Sequence, residues 1–351
     1  MPFMNYEFFT NSEKAWESMF ETIKGAKKSI YLQMYIFQND MVEFNFFHLL
    51  KEKAQEGLRV KLIIDSFGSS ELKNSSIREL EEAGVEVLSA RHLLHRMHKK
   101  ILVVDERIAF IGGVNFHQIA RFWNDLMVRI KGHLVKKIVL SFVKSYFHVG
   151  GKDPVLLGKN NRDKKTNMNT GIIENSPVRR KFRLKKIYGK YLNGAESKIT
   201  LMTPYFLPKR WIRTALRKAV SRGVSVEILV PKNTEHFIVD RVNYFYIYKL
   251  SKAGVKFYIE ENMNHAKAVI IDDKEAMVGS QNLDFLSFDF NSEVGIFFKD
   301  AEIIAQLSEI VKGWKKDSVL FDHKTHKPKW FDYILSPLIN LGSIFYRIFL
   351  D

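Results

Sequence analysis

Cysteine is absent from all 351 residues, so no disulfide, thiolate nucleophile or Cys-based zinc site can form within this chain. Acidic residues are in deficit, with 39 Asp+Glu against 55 Lys+Arg and a formal charge of +16. A balance of that sign favours an anionic partner, either nucleic acid or an anionic membrane surface, and charge alone does not choose between them. The first residues, Met1 to Glu7, carry neither a basic n-region nor a continuous apolar run. No signal peptide or membrane span is read there, and the catalytic part is expected on the cytoplasmic side. A hydrophobic content of 46% with 27% charged residues is a globular balance, and the length suffices for two cores of ordinary domain size.

What the sequence does hold is a duplication. His98, Lys100 and Asp105 form the pattern H-x-K-x4-D, and His265, Lys267 and Asp272 form it again. Each copy runs on into a glycine-containing turn and an asparagine, Asn115 or Asn282, seventeen residues past its histidine. The flanks repeat as well: Gly25-Ala26, Gly57 and Gly84 find counterparts in Gly194-Ala195, Gly223 and Gly254 at offsets of 166 to 170 residues. So long a period means two fused domains, because the short-period stacking of a solenoid repeats every few tens of residues.

Each half reads as alternating strand and helix. In the first, a strand is expected near 29–37, an amphipathic helix ending before Gly57, a strand over 60–64 and a helix over 76–83 stopped by Gly84; another strand starts at Val85. The motif then makes a hairpin. Its period-two alternation places His98, Lys100, Leu102 and Val104 on one face, with Asp105-Glu106-Arg107 at the turn. Gly112 and Gly113 let the backbone come close to a bound group. An aspartate at a hairpin turn is commonly a turn residue, so the pattern itself favours structure for Asp105 and Asp272, although the motif counts them with the catalytic set. Gly150 to Pro154 and then Gly158 to Lys165, without apolar periodicity, mark a linker, and Arg179, Arg180, Lys181, Arg183, Lys185 and Lys186 cluster just beyond it, as a solvated helix face or an anion-binding one. The expected organisation is a first domain over 1–153, a linker over 154–170, a second domain over 171–312 and a basic tail over 313–351.

Two histidines from duplicated halves suggest a symmetric site at the domain interface, where one attacks and the other donates a proton. That division suits phosphodiester chemistry, since imidazole is a competent nucleophile and titrates near neutrality. Charge develops on phosphoryl oxygens, and Lys100, Lys267, Asn115 and Asn282 supply cationic and hydrogen-bonding groups for it. A nucleophilic histidine also needs an acceptor on its other nitrogen. Asp125 follows His98 by 27 residues and Glu293 follows His265 by 28, each opening an apolar run that reads as a strand. His92, His95 and His117 have no counterparts in the second half and are read as incidental.

The duplicated H-x-K-x4-D with its G-G/S-x-N continuation resembles the phospholipase D superfamily, over roughly residues 18 to 300, and within it is most similar to the bacterial cardiolipin synthases. The carrying segments are 35–40, 53–69, 98–116, 122–132, 203–209 and 265–294. The resemblance implies two duplicated α/β domains, each a mixed β-sheet flanked by helices, with the site between them, no metal and no cofactor. It implies two-step phosphatidyl transfer through a phosphohistidine, with His98 attacking, His265 protonating the leaving alcohol and a phosphatidylglycerol hydroxyl as the usual acceptor. Phospholipids and an anionic membrane surface are then the expected partners, ahead of nucleic acid; water as acceptor would give a phospholipase D-type hydrolase or a nuclease. In place of the family's R-S-F-x-x-N-F-E, this chain has Leu286 where the arginine stands and Ser292 where the second phenylalanine stands. That bears on head-group or acceptor choice. Many family members begin with two membrane helices, which residues 1–40 do not supply.

Membrane contact is expected from the tail. Over Tyr333 to Leu350 the chain is strongly apolar, and Ser336, Asn340, Ser343 and Arg347 fall on one helical stripe. With Arg347 inside it, the stretch reads as interfacial rather than spanning, the alternative being a terminal helix docked on the protein's own core. Lys312, Lys315, Lys316, Lys324, Lys327 and Lys329, with Trp314 and Trp330, precede it and suit an anionic lipid surface.

Overall fold

The computed structural model describes residues 5–91, 95–160, 170–176 and 182–335. In chain order the first part runs β1 (Asn5–Asn11), α1 (Ser12–Lys24), β2 (Ser29–Met34), α2 (Phe46–Gln55), β3 (Arg59–Asp65), α3 (Asn74–Glu82), β4 (Glu86–Ala90), β5 (Ile101–Val104), β6 (Ile108–Gly112), β7 (Asn124–Lys131), α4 (Val135–His148), α5 (Pro154–Asn160) and β8 (Thr170–Asn175). The second runs α6 (Arg183–Gly194), β9 (Lys198–Met202), β10 (Phe206–Leu207), α7 (Arg210–Ser221), β11 (Ser225–Pro231), α8 (Phe237–Ser251), β12 (Lys256–Glu260), β13 (Ala268–Ile271), β14 (Glu275–Gly279), β15 (Leu283–Asp284), α9 (Phe285–Asp289), β16 (Glu293–Phe298), α10 (Ala301–Lys316) and β17 (Ser318–Leu320). Two compact units result: one comprises 1–181, 278–281 and 290–297, the other 182–277, 282–289 and 298–351.

In the first unit seven strands lie in the order β1-β7-β6-β5-β2-β3-β4. The two steps from β2 through β3 to β4 are parallel, and β5 returns antiparallel to β2 with Leu32 opposite Leu102. Strand β2 is buried along its whole length, as a central strand covered on both faces must be. One cover is α1, whose Ala15, Trp16, Met19 and Ile23 recur at helical spacing and pack with Leu32, Leu102 and Phe110. Asn11 starts α1 by accepting the Lys14 N–H at 2.9 Å. On the other cover, α4 stacks Phe142 on Tyr31 at 5.3 Å between ring centres. Burying each such large apolar side chain stabilises the fold by roughly 1.5–3 kcal/mol.

The second unit repeats the scheme. Strand β9 is parallel to β11 and β11 to β12, while β13 runs antiparallel to β9. Thus β9, β11, β12 and β13 stand where β2, β3, β4 and β5 stand in the first unit. Helix α7 buries Ile212, Ala215, Leu216 and Ala219, a single stripe. The duplicated mixed α/β architecture expected from the sequence is present.

Three boundaries differ from expectation. Strand β1 and helix α1 precede the first expected strand. Residues 154–160, expected as linker, form α5, because Leu156 is fully buried and Asp153 accepts the Val155 N–H at 2.8 Å. The boundary expected at 312 falls inside α10, which continues through Lys316 into β17, antiparallel to β12. Lys315 there is no free surface cation: its Nζ lies 2.8 Å from Glu227 and 4.1 Å over the Tyr258 ring. Lys312 pairs with Glu309. The basic residues 179–181 and the apolar residues 336–350 lie outside the described residues, as does His92. His95, read as incidental, has its Nδ1 3.2 Å from the Phe290 carbonyl.

Candidate active site

Strand β5 begins three residues after His98, so the sheet fixes the chain immediately beyond the motif histidine. Just before it, Met97 donates its N–H to Asp65 Oδ2 at 2.7 Å, at the carboxyl end of β3. His98 itself donates its N–H to the Ser292 carbonyl at 3.0 Å. These bonds hold the backbone leading into the imidazole, and β5 holds the chain beyond it.

The imidazole is held by Glu293. Nδ1 of His98 lies 3.0 Å from each carboxylate oxygen, and the carboxylate is fully buried. Ser280 donates its hydroxyl to Oε2, and Asn291 donates from Nδ2 to Oε1 at 3.3 Å. A nitrogen placed between two carboxylate oxygens carries the proton, so the lone pair is on Nε2. The sequence offers Asp125 as the carboxylate following His98, but the one that meets its Nδ1 at 3.0 Å comes from the other half of the chain.

Lys100 is fully buried; its ammonium donates to the His98 carbonyl at 2.8 Å and sits 5.0 Å over the Tyr35 ring. The same ring meets His98 edge-on at 4.7 Å. Asn115 is buried, its backbone carbonyl accepting the Trp16 indole N–H at 2.9 Å and its Oδ1 accepting the Ile36 N–H at 3.3 Å. Asn115 is thus tied to α1 and to the chain just beyond β2, where Tyr35 also meets His98 and Lys100.

Lys99 points the opposite way, as strand alternation requires. Its ammonium meets Ser141 at 3.1 Å, Ser145 at 3.2 Å and Glu174 at 3.0 Å. Burial opposes ionisation of Glu174, but Lys99 and then Lys144 outweigh it and hold the carboxyl far below the usual range. This ion cluster clamps the back of the strand that carries His98 and Lys100.

In the second unit, Lys267 donates to the His265 carbonyl as Lys100 does to that of His98. Tyr205 approaches His265 edge-on at 6.3 Å and donates its hydroxyl to Glu235. Asn264 Oδ1 accepts the Ala266 N–H at 2.9 Å, while its Nδ2 donates to Glu260 at 3.0 Å. Burial pushes the Glu260 carboxyl up to about 7. Asn282 is buried, and its N–H donates to Ser287 Oγ at 2.9 Å.

Asp105 and Asp272 leave the catalytic set. Asp105 accepts the N–H groups of Lys27, Lys28 and Ser29, at 2.7–2.9 Å for the shortest contacts. Asp272 does the same for Glu196, Ser197 and Lys198. Burial works against ionisation of Asp272, yet those N–H groups hold its carboxyl at about 2. Seven residues of extended chain separate each aspartate from its motif histidine, roughly 20 Å. Both have positive φ, 53° and 54°, which the hairpin turn requires. The glycines also do something other than expected. A Cβ on Gly113 would lie 2.2 Å from Asp125 Oδ1, and one on Gly112 would lie 2.2 Å from the Leu126 carbonyl. They admit strand β7 and the Asp125 carboxylate, which accepts the Leu126 N–H at 2.7 Å.

Tyr35, Ser280, Asn291, Asp65, Tyr205 and the Glu260–Asn264 pair escape the motif reading. Tyr35 and Tyr205 had a signal, since each follows a matching strand, β2 or β9, and precedes a phenylalanine by one or two residues. Ser280 and Asn291 stand inside the G-G/S-x-N and R-S-F-x-x-N-F-E segments, but the motif gives them no role, and Asp65, Glu260 and Asn264 are single polar residues with no pattern.

The fold is shared with solved structures of low sequence identity. It superposes on the phosphatidylserine synthase of Haemophilus influenzae Rd KW20 with a TM-score of 0.76 at 15% identity, covering 97% of this chain and 93% of that one. The Porphyromonas gingivalis polyphosphate kinase shares it with a TM-score of 0.63 at 12% identity, over 97% of this chain and 53% of that one. The family described as "Cardiolipin synthase, PLD-like domain" matches residues 19–146 and 188–314, and the chain belongs to it. Among its relatives, the probable cardiolipin synthase YwiE of Bacillus subtilis is 29% identical over 324 residues, 86% of this chain and 64% of that protein. A cardiolipin synthase of Oceanobacillus iheyensis is 30% identical over 342 residues, 91% of this chain and 71% of that one. The chain thus spans about two thirds of the length of these curated relatives.

Proposed function

We propose that the chain carries the catalytic portion of a cardiolipin synthase-type phosphatidyltransferase, acting on phosphatidylglycerol at the cytoplasmic face of a membrane. The observation that carries the reading is the Glu293 carboxylate straddling Nδ1 of His98, which leaves Nε2 as the nucleophilic nitrogen. A buried lysine fixed two residues on supports the same assignment.

In the proposed reaction Nε2 of His98 attacks the phosphorus of phosphatidylglycerol. The bond from phosphorus to the head-group glycerol oxygen breaks, and His265 gives that oxygen its proton. A phosphatidyl group remains on His98, whose imidazolium charge is balanced by Glu293. The hydroxyl of a second phosphatidylglycerol then passes its proton to His265 and attacks phosphorus, releasing His98 and forming cardiolipin. Lys100, Lys267, Asn115 and Asn282 stabilise the charge on the phosphoryl oxygens. Transfer rather than hydrolysis requires that water be kept from the intermediate.

Incubation with phosphatidylglycerol vesicles, followed by mass spectrometry of the lipids, tests this. Cardiolipin and glycerol, both missing with His98→Ala, are expected. Phosphatidic acid in their place would make the protein a hydrolase, and unchanged lipid would overturn the reading.

A further inference from the structure

Helix α8 opens with two exposed apolar residues, Phe237 at 76% and Ile238 at 58% exposure. Arg241 lies one turn on, sharing their face. It forms a two-pronged ion pair with Asp332, Nε to Oδ1 at 2.9 Å, and lies 4.9 Å over the Phe331 ring. Asp332 is 1% exposed and also accepts the Lys329 N–H at 2.7 Å. Further along, Tyr333 packs edge-on against Phe245 of α8 at 5.3 Å, and Lys249 lies 5.1 Å over Tyr333. A buried ion pair therefore straps residues 329–335 along α8. Yet the strap turns Trp330, 76% exposed, and Ile334 away from the core.

Within the strap, Trp330 and Ile334 stay in water and add little hydrophobic burial to the monomer, although a desolvated ion pair fixes the segment that carries them. The surroundings are cationic: from 241 to 252 and from 323 to 335 the only carboxylate is Asp332, which is consumed by Arg241, while lysines occur at 249, 252, 324, 327 and 329. A Trp, a Phe and two Ile standing out beside these lysines match a lipid headgroup boundary, where aromatic rings bury their apolar body and lysines meet anionic phosphate; of the carboxylates that border Phe237 and Ile238, Glu235 accepts the Tyr205 hydroxyl and Asp240 the Thr234 N–H. The patch also starts one residue after His236, whose neighbour Glu235 accepts the hydroxyl of Tyr205 beside His265.

We propose that this face of the second unit, Phe237, Ile238, Trp330 and Ile334 with Lys249 and Lys329, docks onto a bilayer containing anionic phospholipid and holds the His265 pocket at headgroup level. It rests on the reading of the chain as a phospholipid enzyme, and it places membrane contact on the folded strap and α8.

The test is sedimentation of the full chain with phosphatidylcholine vesicles, with and without phosphatidylglycerol, for the wild type and for Phe237→Ser/Trp330→Ser. Preferential binding to the anionic vesicles, reduced about tenfold or more in the double variant at an unchanged melting temperature, is expected. Sedimentation of the double variant equal to wild type would overturn the proposal. So would binding by wild type only after removal of residues 336–351, which would make that segment the occupant of the face. If the double variant does not fold, quenching by brominated lipid decides: a quenched component present in wild type and lost in Trp330→Phe supports the docking face, and its absence from wild type overturns it. None of these readouts needs turnover. A chain that docks here but makes no cardiolipin would leave the surface standing and remove the transferase reading, whereas cardiolipin formed in detergent by a chain without this docking would do the reverse.

Discussion

Glu293 lies 195 residues from His98 in the chain, yet its two oxygens are equidistant, at 3.0 Å, from one imidazole nitrogen. The arrangement fixes both the tautomer and the direction of the ring. A second layer, Ser280 and Asn291, fixes the carboxylate in turn.

Replacing Glu293 by Gln keeps the shape but lets an amide NH2 face Nδ1, favouring the tautomer with its proton on Nε2. Turnover is expected to fall about 10²–10⁴-fold with little change in KM. Steady-state kinetics on phosphatidylglycerol check this, and turnover within a factor of a few of wild type would remove Glu293 from the mechanism.

Asp105→Asn and Asp272→Asn weaken charge-assisted bonds to three backbone N–H groups each. Each is expected to cost about 1–2 kcal/mol in urea unfolding while leaving turnover of the folded protein near wild type. The Asp272 contribution is present above its ordinary value of 3.8 and fades as pH falls through about 2. Lost turnover at full stability would return these residues to the catalytic set.

Glu260 shows the opposite sign. Its carboxyl titrates at about 7 in the fold against 4.5 as an ordinary glutamate, so between those values the folded state keeps a proton that the unfolded chain releases. Stability therefore falls as pH rises from 4.5 to about 7 and then levels off. Glu260→Gln is expected to remove that slope, gaining up to about 2–3 kcal/mol at alkaline pH and little at acidic pH. An unchanged slope, measured by denaturation across this range, would contradict the assignment.

Gly113→Ala drives a methyl to 2.2 Å from Asp125 Oδ1. A loss of about 2 kcal/mol or more in thermal or urea unfolding is expected. Gly158→Ala, with nothing within 4 Å of the added Cβ, is the control and is expected to be neutral or stabilising.

Much of this was legible in the sequence because the duplication exposes it. Two copies of His, Lys and Asn at one spacing mark the site, and period-two alternation puts His98 and Lys100 on one face and Lys99 on the other, as found. The partner of His98 was not legible: Glu293 stands out as a carboxylate opening a strand, but the bond closes across nearly two hundred residues, and spacing carries no information about which histidine it meets. Asp65 and Glu260 act at strand ends as single residues without a repeat to flag them. The α5 segment was not legible because its apolar run, Val155-Leu156-Leu157, is only three residues long between Pro154 and Gly158 and shows no helical period. The tail lysines read as a surface patch, whereas Lys315 is held by Glu227, a partner supplied by β11 and invisible in the local sequence.

The most direct test of the account is to trap the intermediate. His265→Ala protein, mixed with phosphatidylglycerol and quenched in alkali-stable conditions, is digested and searched by mass spectrometry for a phosphatidyl-histidine. The account predicts the adduct on His98 at Nε2, and its disappearance when Glu293→Gln is added. An adduct on His265 in the converse His98→Ala protein, with none on His98 in the His265→Ala protein, would contradict it.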